Sequence, residues 1–195
     1  MRVLFINNKD SFVWNLVDYV SIFGPDTVLV PNSVTPEEIS KIDPDAIVIS
    51  PGPGTPNKPE DVGTCLDIIR DFGPDIPLLG VCFGHQAINV AFGGSVSHTK
   101  GGPIHGKTSD ITHEGSPLFA GIPQPFKGGR YHSLAIEKLA DELKMTARAD
   151  DGTIMAVEHM KYPVYGVQFH PESVLTESGI KIFENFLKIA GMHKD

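Results

Sequence analysis

The chain has 195 residues, 41% of them hydrophobic and 21% charged, an ordinary globular composition that can build a core without disulfides or a structural metal. Its formal net charge of −8 and the lack of any basic stripe argue against a nucleic-acid partner. No apolar run approaches membrane-spanning length, and the stretch from Met1 to Ile6 is too short for a secretory signal, so a soluble cytoplasmic chain with no membrane partner is expected.

The first half alternates strand and helix patterns. Arg2 to Ile6 reads as a compact apolar strand, and Phe12 to Ile22 carries helix-period apolar positions behind a candidate Ser11 cap. Thr27 to Val30 is a second strand, and Thr35-Pro36-Glu37-Glu38 opens a short helix. Ala46 to Ile49 is a third strand, ending in Ser50-Pro51-Gly52-Pro53-Gly54. A helix over Asp61 to Phe72 puts Val62, Cys65, Leu66 and Ile69 on one apolar face, which assigns Cys65 to core packing. Ile76 to Val81 is a fourth strand, with a helix from Gln86 to Phe92 beyond it. Such alternation predicts a parallel sheet covered on both faces.

The second half differs. From Ser95 to Val167, short alternating runs such as Val96 to His98, Lys107 to Thr112 and Met155 to Glu158 predict hairpins and an antiparallel extension of the sheet. Val164 to Phe169 reads as a buried strand and Ser178 to Ala190 as a closing amphipathic helix, with a frayed tail from Met192 to Asp195. With no linker or repeat, residues 1–195 are expected to form a single α/β domain.

Chemistry concentrates at Gly80-Val81-Cys82-Phe83-Gly84, which has the spacing of a nucleophile elbow with sulfur in place of oxygen. Beside a helix N-terminus such a thiol is favoured as the thiolate. A base is offered by His170-Pro171-Glu172: His170 follows a buried strand, and in an extended segment Glu172 points the same way and can orient the ring. Pro51-Gly52-Pro53-Gly54 exposes backbone N–H groups suited to an oxyanion hole, together with the amide of Phe83. Taken singly, these motifs equally describe a buried structural cysteine, a solvated turn and an ordinary Pro-Gly turn. In combination they favour a cysteine nucleophile.

The other histidines carry less. His98, His105 and His113 match no common zinc spacing, so no metal is expected. His132 reads as local structure whose neighbours could line a pocket, and His159 and His193 as surface residues.

Gly-Val-Cys-x-Gly-His-Gln, the later Gly-Val-Gln-Phe-His-Pro-Glu-Ser and the earlier Ser-Pro-Gly-Pro-Gly together resemble the class I, triad-type glutamine amidotransferases over essentially the whole chain. Asp10-Ser11-Phe12 with Asn15-Leu16, His105-Gly106-Lys107-Thr108-Ser109 and Arg130-Tyr131-His132-Ser133-Leu134 resemble the branch serving chorismate-using synthases, of anthranilate or of aminodeoxychorismate. The resemblance implies a three-layer fold with a mostly parallel sheet, helices on both faces and an antiparallel extension. It implies Cys82 as nucleophile, His170 as acid and base, and Glu172 as its orienting group. Gly54 and Phe83 would form the oxyanion hole, and Gly52, Gly54, Gln86, Ser133 and Leu134 would contact L-glutamine. It also implies that the chain needs no cofactor and works with a partner synthase subunit, in a heterotetramer. A γ-glutamyl or protease-like cysteine hydrolase is the competing enzyme class. Relatives commonly carry Asp-Asn-Tyr-Asp-Ser-Phe where this chain has Asn7-Asn8-Lys9-Asp10-Ser11-Phe12, a departure in the partner-facing region rather than in the triad.

Overall fold

Val3, Leu4, Phe5 and Ile6 are all fully buried, the pattern of a strand covered on both faces. In the computed structural model, which describes residues 1–192, they form β1 (Arg2–Asn7). The chain continues through α1 (Val13–Ser21), β2 (Asp26–Pro31), α2 (Pro36–Ile42), β3 (Ala46–Ile49), α3 (Pro59–Val62), α4 (Cys65–Phe72), β4 (Leu78–Val81) and α5 (Phe83–Ala91). Then come β5 (Ser95–His98), β6 (Ile104–His113), β7 (Phe126–His132), β8 (Leu134–Lys138), β9 (Leu143–Ala149), β10 (Ile154–His159), β11 (Val164–Val167) and α6 (Gly179–Met192). The readings of His193 and of the tail beyond Met192 lie outside the described residues.

The main sheet has the order β2-β1-β3-β4-β11-β10-β9-β6-β7. Its first five strands are mutually parallel, and β10, β9, β6 and β7 extend it antiparallel, as expected. Alternate side chains serve the two faces. Val3, Phe5, Val48, Leu79 and Val81 pack with Leu16 and Val20 of α1 and Phe183 and Phe186 of α6. Leu4, Ile6, Ile47, Ile49 and Leu78 pack with Ile68 of α4 and Phe83 and Ile88 of α5. Each such fully buried side chain stabilises the fold by roughly 1.5–3 kcal/mol before entropy is counted.

Four local expectations are corrected. Ser11 does not cap α1; the helix begins at Val13 behind Phe12, and the Asp10 carboxylate accepts the Phe12 N–H (3.1 Å) instead. The helix expected over Asp61 to Phe72 is two, because Pro59 starts α3 early and Gly63 turns left-handed (φ 54°) before α4. α5 starts at Phe83, immediately after Cys82, rather than near Gln86. β5 and β8 pair with each other in a separate two-stranded sheet. Both are tied to α5 by the buried Asn89, whose amide donates to Ser95 O and Lys138 O and accepts from Ala140 N–H. The expected cap of α2 is present: Thr35 and Glu38 form a capping box.

Candidate active site

β4 and β11 run side by side in parallel with Val81 opposite Val167, so the residues that follow both strands emerge at one edge. The Cys82 N–H donates to Val167 O (2.8 Å), continuing the ladder one step past β4. Cys82 itself stands at φ 51°, ψ −96°, a conformation L side chains rarely adopt, and leads directly into α5. Glycine is needed on both sides of this turn. A Cβ on Gly80 would lie 2.5 Å from the Gly84 carbonyl, and one on Gly84 would lie 2.5 Å from Ile49 O. Strand and helix can therefore close tightly enough to lift the thiol at the helix N-terminus, where the dipole favours negative charge.

His170 follows β11 and is fixed through its backbone: its N–H donates to Gly129 O (2.9 Å), and the Thr176 hydroxyl donates to its carbonyl (2.7 Å). Its Nδ1 lies 2.6 Å from Oε1 of the buried Glu172. That leaves Nε2 as the ring nitrogen available to the Cys82 sulfur. Burial alone would favour the neutral ring, but the Cys82 sulfur and then Glu172 outweigh it and hold the His170 pKa well above its ordinary 6.5. A cysteine, a histidine and a carboxylate thus meet in the order needed for nucleophilic attack with proton transfer.

A cavity of about 530 Å³ opens over Cys82 and His170, a size suited to an amino acid. Gly52 and Pro53 form part of its wall. Gly54 lies further back, its Cα against the Asp61 carboxylate. Phe83 N–H belongs to the first turn of α5, where backbone donors have no intrahelical acceptor. Gln86, Ser133 and Leu134 sit behind the cavity lining rather than in it. The Gln86 amide donates to Leu134 O (2.9 Å) and to Gln168 Oε1 (3.1 Å), and Ser133 O accepts from Thr99 N–H (3.0 Å).

Sequence reasoning gave no role to three residues at the site. Asp10 lines the cavity; burial pushes its carboxyl pKa up, and Oδ2 has no partner among the described residues. Tyr131 also lines it and packs edge-on against the His170 ring, with centroids 5.1 Å apart. Gln168 is fully buried and donates to Cys82 Sγ (3.5 Å). All three lie inside motifs that carry the family resemblance, and that membership is the signal that could have found them.

The family model for class-I glutamine amidotransferases matches residues 4–190. The chain belongs to that family. It is 52% identical to "Anthranilate synthase component 2" of Methanocaldococcus jannaschii, covering 96% of each chain. It is 46% identical to "Anthranilate synthase component II" of Haloarcula marismortui, covering 96% of this chain and 91% of that one. Among solved structures, a "putative gmp synthase subunit a protein" of Thermoplasma acidophilum superposes with a TM-score of 0.90 at 26% identity, covering 100% of this chain and 96% of that one.

Cys65 and His159 do not line the cavity of this amidotransferase. Both cysteines are unbridged, and burial pushes the Cys65 thiol up to about 12 while it contacts Asn8 Oδ1 (3.2 Å). His159 is not a surface residue. It is buried beside Phe92 and stacked on Tyr162, because the two rings supply an apolar slot that its alternating position faces. Among the described residues no cluster of metal-ligating side chains occurs, and no helix is long and apolar enough to cross a membrane.

His85, behind the nucleophile on α5, is fully buried and its pKa falls to about 3; burial and the Arg130 guanidinium bring His132 down to about 4. Both stay neutral in the folded protein at pH values where the unfolded chain binds protons. Their contribution is therefore present above about pH 6.5 and lost as the pH falls towards these folded values, with a slope of up to about 1.4 kcal/mol per pH unit for each ring. Below about pH 6 His170 is protonated in both states and adds no slope. Denaturant midpoints measured between about pH 6 and about pH 4.5 should fall steadily, and a flat profile would contradict the burial of these two rings.

Proposed function

We propose that this chain is the glutaminase component of anthranilate synthase, hydrolysing L-glutamine at Cys82 and supplying ammonia to a chorismate-using synthase subunit for tryptophan biosynthesis. The assignment of the synthase rests on one observation above the rest, the 52% identity to a component 2 across 96% of both chains. The chemistry rests on Cys82, His170 and Glu172 standing at adjacent parallel strand ends.

The steps follow from the charge arrangement. With its pKa held high, His170 carries the proton beside the Cys82 sulfur, which acts as the nucleophile. The sulfur attacks the side-chain amide carbon of glutamine, and the oxygen takes up negative charge against backbone N–H groups, with Phe83 and the Pro51–Gly54 turn as the candidate donors. His170 then gives its proton to the amide nitrogen; the C–N bond breaks, ammonia leaves, and a γ-glutamyl thioester remains. The neutral His170 next takes a proton from water. The hydroxide attacks the thioester, the C–S bond breaks, and glutamate leaves with thiolate and imidazolium restored. Glu172 holds the ring through Nδ1 in both halves and offsets its positive charge. No step draws on a metal or cofactor.

Ammonia released into neutral water is mostly protonated and no longer nucleophilic. Transfer therefore calls for a partner over the cavity mouth, where Phe12 and Val174 stand exposed. Lys9 and Asn7 depart from the usual motif on this same rim. Lys9 spans to Glu60 O, and the Asn7 side chain accepts the Asp10 N–H (2.9 Å), so the loop stays ordered without the missing acid and aromatic. The alternative partner is aminodeoxychorismate synthase. Reconstitution with each synthase subunit, given chorismate and glutamine, separates the two: anthranilate formation is expected, and product only with the other subunit would overturn the assignment. The same preparation tests partner dependence, since the chain alone is expected to hydrolyse glutamine far more slowly than in the complex.

A further inference from the structure

We propose that Gln168 is a further catalytic residue, whose side-chain N–H donates to the Cys82 sulfur and holds it as the thiolate. The inference deepens the reading of Cys82 as nucleophile and rests on it.

The orientation of the Gln168 amide is settled by what lies behind it. Arg130 is buried and its guanidinium can only donate; its Nε donates to His132 Nε2 (3.0 Å), which must therefore be the accepting nitrogen of a neutral ring. His132 Nδ1 then carries the proton and donates to Leu134 O (2.8 Å). Leu134 O, which can only accept, takes a second donor from Gln86 Nε2 (2.9 Å). This fixes the nitrogen end of Gln86 there, and the same nitrogen donates to Gln168 Oε1 (3.1 Å). With its oxygen committed to Gln86, Gln168 can present only nitrogen to Cys82 Sγ, at 3.5 Å. Reversing the amide would set nitrogen against nitrogen.

The polarity of the whole chain thus ends on sulfur as an acceptor. A thiolate accepts such a bond far better than a thiol or a thioester sulfur does. The contact therefore favours formation of the attacking thiolate and, in the second half, its departure from the acyl group. Gln168 is fully buried, so water does not compete for the donor. Gln86 acquires a positioning role in the same network, because it holds the Gln168 oxygen.

The test is the rate of Cys82 alkylation by iodoacetamide across pH in the full-length chain. Cys65 is buried with its thiol pushed up to about 12 and does not contribute. The titratable groups around the sulfur are His170, Glu172, Asp10, Lys9, Tyr131 and His132, and all are retained in the variants. Gln168→Met keeps the volume and removes the donor. It should slow alkylation at neutral pH by about tenfold to a hundredfold, the usual worth of a hydrogen bond to a charged group, and displace the pH profile upward. Gln86→Met should act in the same direction with a smaller effect and serves if the first variant does not fold, which thermal unfolding of each variant reports. An unchanged pH profile in folded variants overturns the proposal, even if glutamine turnover falls, because that marks Gln168 as packing alone. Wild-type Cys82 that resists alkylation throughout instead overturns the nucleophile assignment, and this inference with it.

Discussion

Cys82→Ser is expected to abolish glutamine-dependent synthesis by the assembled complex, by about a thousandfold or more, while synthesis from added ammonia persists. Serine fits the space, since the elbow's tightness comes from Gly80 and Gly84 and not from the side chain between them. Its hydroxyl, however, is not ionised near neutral pH, so no anionic nucleophile faces His170 and the acyl intermediate forms far more slowly. The partner subunit is expected to need only chorismate and ammonia. Assaying one preparation with glutamine and then with ammonium at raised pH checks both halves. Cys65→Ala is the control: its thiol touches Asn8 on the far side of β3 and should leave both activities in place. Normal glutamine turnover by Cys82→Ser would falsify the nucleophile assignment.

Glu172→Gln should lower glutamine-dependent turnover by about a hundredfold or more, with a smaller effect on the KM for glutamine. The buried carboxylate sits 2.6 Å from His170 Nδ1, so it supports the charged ring against the cost of burial. The amide keeps the shape but offers no charge, so the His170 pKa drops towards its ordinary value. The proton needed by departing ammonia is then lost at lower pH. The alkaline limb of the pH–rate profile should move down in Glu172→Gln. His170→Ala should remove turnover altogether, because no ring remains to carry the proton.

The parallel half of the fold was legible because its strands are short, continuous apolar runs between helix-period segments. Ala46–Ile49 is a strand with the expected bounds, and the Thr35 capping box announces α2. The misread boundaries come from backbone choices that composition does not advertise. Gly63 breaks an otherwise continuous apolar face, and Asp10 displaces Ser11 as the local acceptor ahead of α1. The docking of β5 and β8 on α5 uses a buried side chain, Asn89, whose three partners lie 6, 49 and 51 residues away.

At the site, the proximity of Cys82 and His170 could be anticipated, since each follows a buried strand. What was not legible is the layer behind them. The Arg130-to-Cys82 hydrogen-bond chain joins three separate segments, and its polarity depends on which atom of each group faces which neighbour. His159 was misjudged for a related reason: a polar residue near a loop is buried when aromatic neighbours from α5 and the next turn close over it.

Ammonia released at Cys82 is expected to reach a chorismate-using partner without passing through bulk solvent. Isotope competition in the reconstituted complex tests this, with chorismate, glutamine labelled at its side-chain amide nitrogen, and excess unlabelled ammonium supplied together. Mass analysis of the aromatic product should show the label predominating at a pH where most free ammonia is protonated. Product carrying mainly unlabelled nitrogen would contradict it.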